Sequence, residues 1–141
     1  MNLAFGATRV IHAQRLSLYL PDCNCFGDPI PDFESWVTEA AQLLTSIAGG
    51  ATRNAPSSGY WYNSTENKLI EERTHVVYAN CDQGILWKNE HRVREFICRF
   101  GNETLQETVM LEFAGKLYFI DDFEMQRSKL KLVDSDGAPS A

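Results

Sequence analysis

Residues 32–50, DFESWVTEAAQLLTSIAGG, decide the fold. Phe33, Trp36, Val37, Ala40, Leu43, Leu44 and Ile47 recur at spacings of three and four, so a helix through this stretch carries one continuous apolar stripe. Asp32 stands where an N-cap carboxylate accepts from the first turn. Gly49 and Gly50 end the stripe, because glycine reaches the left-handed conformation that closes a helix without steric cost. Such a stripe has to be buried against another layer, and the flanking segments supply one.

Upstream, Arg9–Leu20 alternates, with Leu16, Leu18 and Leu20 on one side and Arg15, Ser17 and Tyr19 on the other, the period of a half-buried strand that ends at Pro21. The DCNCFGDPIP segment after it is rich in turn formers. Downstream, Tyr60, Trp61 and Tyr62 follow a Pro-Ser-Ser-Gly break, and the polar turn NSTENK leads into IEERTHVVYA, which together read as a hairpin. In the second of these strands Ile70, Thr74, Val76 and Tyr78 are expected to face the helices, leaving Glu71, Arg73, His75 and Val77 on the open face.

Asp82 is expected to cap a second helix, with Leu86, Val93, Phe96, Ile97 and Phe100 inward, Lys88, Arg92, Glu95 and Arg99 toward solvent, and Gly101 at its end. VMLEF then alternates, and an Ala114-Gly115 turn returns the chain as KLYFI. The order strand, helix, strand, strand, helix, strand predicts an α+β, ferredoxin-like βαββαβ sandwich. Its antiparallel sheet has the first and third strands central, two helices on one face and an extra C-terminal return strand. Residues 1–124 form the expected single domain, and 125–141 a C-terminal extension with a disordered end.

The chain of 141 residues, 44% apolar and 23% charged, has the composition of an ordinary globular domain. Its net charge of −6 opposes a nucleic-acid backbone as partner. No run has the length needed to cross a bilayer, and the N-terminal apolar patch is short for a secretory signal, so the expected address is the cytoplasm. Cys23, Cys25, Cys81 and Cys98 lack zinc-ligand spacing and read as free thiols. The loop from Asp22 begins like an EF-hand, but Phe26 and Phe33 fall at ligand positions, which favours a plain Asx turn. No metal or cofactor is called for, and phosphate-loop, dinucleotide, nucleophile-elbow and zincin strings are absent.

The Leu-rich first strand ending in Pro21-Asp22, Gly49-Gly50-x-Thr52, Gly59-x-Trp61, Glu72 opening the third strand and Gln106-Glu107-x-Val109 form a diffuse pattern over roughly residues 16–120. In this it resembles a group of small bacterial and phage proteins of unknown function with a ferredoxin-like fold, often carried on mobile elements. The resemblance implies the architecture and carries no catalytic residue. The tail beyond Ile120 and the Cys23-x-Cys25 pair stand outside it.

Function is therefore sought on the uncovered sheet face, where Arg15, Tyr19, Trp61, Arg73, His75 and Glu112 are expected to form a binding surface. A noncatalytic module that binds a small molecule or a protein and self-associates, as a homodimer, would use the aromatic residues there. The alternative is a small enzyme in which His75 acts as acid or base and Arg73 holds an anionic substrate. Single-stranded nucleic acid on the sheet aromatics is a third reading that lacks basic surroundings. Along the second helix Trp87, His91, Arg94 and Cys98 share a stripe, yet His91 and Cys98 lie about 10 Å apart along the axis, too far for a thiolate–imidazole pair.

Overall fold

A computed structural model describes residues 3–124. The strands are β1 (Gln14–Pro21), β2 (Thr52–Arg53), β3 (Ser57–Asn63), β4 (Lys68–Cys81), β5 (Val109–Phe113) and β6 (Lys116–Ile120). The helices are α1 (Phe33–Ala48), α2 (Gln83–Lys88) and α3 (Glu90–Glu103). All pairings are antiparallel, in the order β2-β4-β1-β5-β6, with β3 also paired to β4. β1 and β4 are central and the helices pack on one face, so the fold is a ferredoxin-like α+β sandwich. No helix among the described residues is long and apolar enough to cross a membrane.

The core is the meeting of two periodicities. Leu16, Leu18 and Leu20 of β1 bury against Val37, Ala40, Leu44 and Ile47 of α1 and Val93, Phe96, Ile97 and Phe100 of α3. Fully burying one such aliphatic or aromatic side chain contributes about 1.5–3 kcal/mol, which is why these stripes outweigh weaker local preferences. Gly49 closes α1 at φ 89°, its amide bonded to the Thr45 carbonyl. Ala114 and Gly115, both at positive φ, turn β5 into β6.

Several expectations need correction. Strand β1 begins at Gln14 rather than Arg9, and it keeps Pro21 as its last residue, beyond the reach of the pairing with β5. Asp32 is left-handed at φ 55° and its side chain caps nothing; its carbonyl instead accepts from the amide and hydroxyl of Ser35. The second helix is broken at Asn89 into α2, capped by the Asp82 carboxylate, and α3. Gly101 lies inside α3, where an added Cβ would fall 2.3 Å from the Phe123 ring. The region from Thr52 to Asn63 forms two strands, β2 and β3, on the same flank of one long β4.

The largest correction concerns β4. Leu20 pairs with His75, Leu18 with Val77 and Leu16 with Ala79, so these three β4 residues share the helix-covered face. Ile70, Glu72, Thr74, Val76 and Tyr78 occupy the open face, the reverse of the expected register. The expected C-terminal extension, 125–141, lies outside the described residues.

Candidate functional site

The flipped register separates the expected binding residues. Arg15, Tyr19, Trp61 and Glu112 do stand on the open face, since Ser17 pairs with Glu112 and Tyr19 with Met110, while Trp61 pairs with Ile70. The Arg15 guanidinium lies 4.0 Å from the Tyr78 ring centroid, a cation–π contact, and the Tyr19 hydroxyl donates to Glu112 at 3.2 Å. Burial, then the neighbouring Glu112 charge, push the Tyr19 hydroxyl above its ordinary value.

Arg73 and His75 are on the other face. His75 is 4% exposed with its ring 4.6 Å from that of Phe33. The Arg53 guanidinium, which can only donate, lies 2.9 Å from His75 Nδ1, so Nδ1 accepts and Nε2 carries the hydrogen. That hydrogen points to Asp22 Oδ2 at 3.3 Å. Arg53 in turn holds Glu34 of α1 through two bonds of 2.7 Å. The imidazole is thus a structural link between β4, β2 and the loop after β1, with both nitrogens engaged. The expectation of His75 as an open-face acid or base with Arg73 as its anion holder fails for this reason. Arg73 sits beside the same Asp22, 3.7 Å away, on the edge of the covered side.

What the open face offers instead is Glu72, named in the sequence pattern but not among the expected site residues. It lies opposite Gly59 in the β3–β4 ladder, one step from the Trp61–Ile70 pair. The Trp61 indole lies near its carboxylate and favours the charged form. Partial burial raises the Glu72 carboxyl above its ordinary value; the nearby indole opposes the rise, and the Asp22 charge adds a smaller push upward. Gly59 keeps the approach open: a Cβ there would fall 2.8 Å from Thr74 Oγ1. On the opposite flank Cys23 is near enough for the Asp22 and Glu72 charges, after burial, to push its thiol up, which keeps it protonated and unreactive.

The loop that delivers Asp22 and Cys23 is set by an Asx turn, with Asn24 Oδ1 accepting from the amides of Phe26 and Asp28 at 2.9 and 3.0 Å. Gln106 also donates to the Cys23 carbonyl at 3.0 Å. The site therefore combines a partly buried carboxylate with an indole that is 39% exposed, while Asp22 is engaged by His75 and Arg73 on the covered side. Glu72 was legible only through the register, because a charge alternating with Ile70, Thr74 and Val76 looks out of place until those residues are moved to the open face. Tyr19 is level with Val76, four strand positions or about 13 Å further along, and forms a separate cluster with Glu112.

No family model matches the sequence. In structure the chain is similar to a phage SAM lyase solved in complex with S-methyl-5'-thioadenosine, with a TM-score of 0.61 and 12% identity over 85% of this chain and 99% of that one. The same phage SAM lyase in its apo state gives 0.60 and 15% over 85% and 98%. The divalent cation tolerance protein CutA1 from Thermus thermophilus gives 0.46 and 10% over 85% and 93%. At these identities the likeness is one of fold, shared over nearly the whole length of the lyase.

Proposed function

We propose that this chain is a self-associating protein that binds S-adenosylmethionine on the open sheet face and splits it, as a SAM lyase does. The observation that carries the reading is Glu72, a partly buried carboxylate beside the Trp61 indole on the uncovered face. S-adenosylmethionine has a flat adenine and two cationic groups, a sulfonium and an α-ammonium, on one short chain. A carboxylate beside an exposed indole matches that combination, and the phage SAM lyase shares the fold.

S-methyl-5'-thioadenosine keeps the adenosyl and methyl groups on sulfur. Its formation from S-adenosylmethionine therefore breaks the bond from sulfur to the γ-carbon of the amino-acid chain, and sulfur retains the electron pair. The substrate's own carboxylate oxygen can take over the γ-carbon, closing a five-membered lactone with no outside reactant. Sulfur loses its positive charge in this step, so a carboxylate against the sulfonium would oppose it. Glu72 accordingly belongs with the α-ammonium, which stays charged throughout. The sulfonium is then left near the aromatic surface of Trp61.

Self-association is supported by a row that crosses four strands, Phe119–Met110–Tyr19–Val76, all on the open face. Phe119 at its end is 65% exposed. A noncatalytic binding module that uses this row alone is the second reading. Titrating the protein with S-adenosylmethionine while following tryptophan fluorescence separates the two. The proposal expects saturable quenching that Glu72→Gln weakens about tenfold or more, the scale of a hydrogen bond to a charged group. Absence of saturable binding leaves the module reading.

A further inference from the structure

On the helix-covered face, at the far side of the molecule from Glu72, α2 and α3 do not close completely over β5 and β6. The gap is a cavity of about 160 Å³ with walls of Leu16, Leu86, Val93, Ile97 and Phe113, and with the partly exposed Trp87 and Tyr118 at its mouth. A dry cavity of about 150 Å³ holds one benzene ring. The polar groups in its lining are few, and chief among them is the Glu90–Arg94 pair one helical turn apart on α3.

That pair is loose. Arg94 Nε lies 3.9 Å from Glu90 Oε1, beyond hydrogen-bond reach, and among the described residues it is the buried side-chain polar atom with no hydrogen-bond partner. A guanidinium has five donors arranged for a planar oxyanion, and leaving the buried Nε–H unused is costly. A ring-sized apolar space and an underused guanidinium at its rim thus meet at one place. Glu90 beside the guanidinium and the chain's net charge of −6 disfavour a doubly charged phosphate relative to a single carboxylate.

We infer that this cavity is a second ligand site, which takes a small carboxylate with a ring-sized apolar body: the body lies between Val93, Ile97 and Phe113, and the carboxylate pairs with Arg94. The site is independent of the open-face reading, because no residue is shared between them. The probe is benzoate, with benzyl alcohol as its neutral counterpart, titrated into the full chain while the Trp87 indole resonance is followed by NMR at constant ionic strength.

Benzoate is expected to shift the Trp87 resonance saturably, and benzyl alcohol to bind about tenfold or more weakly. Arg94→Gln is expected to lower benzoate affinity by a similar factor. Arg94→Lys, which keeps the charge and loses the fork, should fall between wild type and Arg94→Gln, and serves if Arg94→Gln does not fold. Equal binding of benzoate and benzyl alcohol, unchanged benzoate affinity in either variant, or no saturable shift of Trp87 would overturn the proposal.

Discussion

Trp61 and Glu72 are neighbours across the β3–β4 pair, on the face of the sheet that no helix covers, where the indole favours the charged carboxylate. Desolvation sets the resting state of that carboxylate, and a cation arriving beside it changes that state. Both effects have measurable consequences.

Affinity for S-adenosylmethionine should rise with pH through the Glu72 titration. Burial and Asp22 hold the folded carboxyl above its ordinary value, so it ionises at higher pH than a free glutamate. A cationic ligand prefers the ionised form, so binding is weak at low pH and strengthens as pH rises through the folded value. For the free protein, the raised carboxyl lends stability that is present at low pH and lost as pH climbs through that value. Titrations across the acidic range to neutrality should show the rise in wild type and a flatter profile in Glu72→Gln.

His75→Ala should destabilise the fold by about 2–4 kcal/mol, because it opens a void against Phe33 and removes the hydrogen-bond partner of both Arg53 and Asp22. Urea unfolding measures this. Once the folded fraction is matched, the reaction should persist in the variant; loss of turnover in a fully folded sample would return His75 to a chemical role.

Gly101→Ala provides a packing test with a sign reversal. In wild type the new methyl meets the buried Phe123 ring, and the cost should be about 1–3 kcal/mol. In a Phe123→Ala background the ring is gone and alanine is the better helix former, so the same change should stabilise by about 0.5–1 kcal/mol. The double-mutant cycle is read from denaturation midpoints.

Light scattering should find the wild-type chain at twice its own mass, the homodimer, and Phe119→Lys, which places a charge at the end of the apolar row, at the monomer mass. A monomeric wild type at the same concentration would contradict self-association through this face.

Much of the fold was legible in the sequence because apolar periodicity reports burial directly. Leu16, Leu18 and Leu20, the α1 stripe, and Phe96, Ile97 and Phe100 all lie where their spacing puts them. The β4 register was not legible, since Val76-Val77-Tyr78-Ala79 is apolar in either phase and alternation there discriminates poorly. Long-range facts decide it: Leu20 pairs with His75, whose ring nitrogens find Arg53 and Asp22, residues 22 and 53 positions away in sequence. The break at Asn89 was hidden for a related reason, because the inward stripe from Leu86 to Val93 looks continuous when the helix is assumed unbroken. Of the site, Trp61 was found from its strand context, while Glu72 was obscured by the wrong phase.

Incubation of the purified chain with S-adenosylmethionine, followed by chromatographic measurement of S-methyl-5'-thioadenosine, tests the central claim most directly. Time-dependent release is predicted for wild type, falling about tenfold or more in Glu72→Gln at equal folded concentration. Release no faster than the uncatalysed background, or release unaffected by Glu72→Gln, would contradict it.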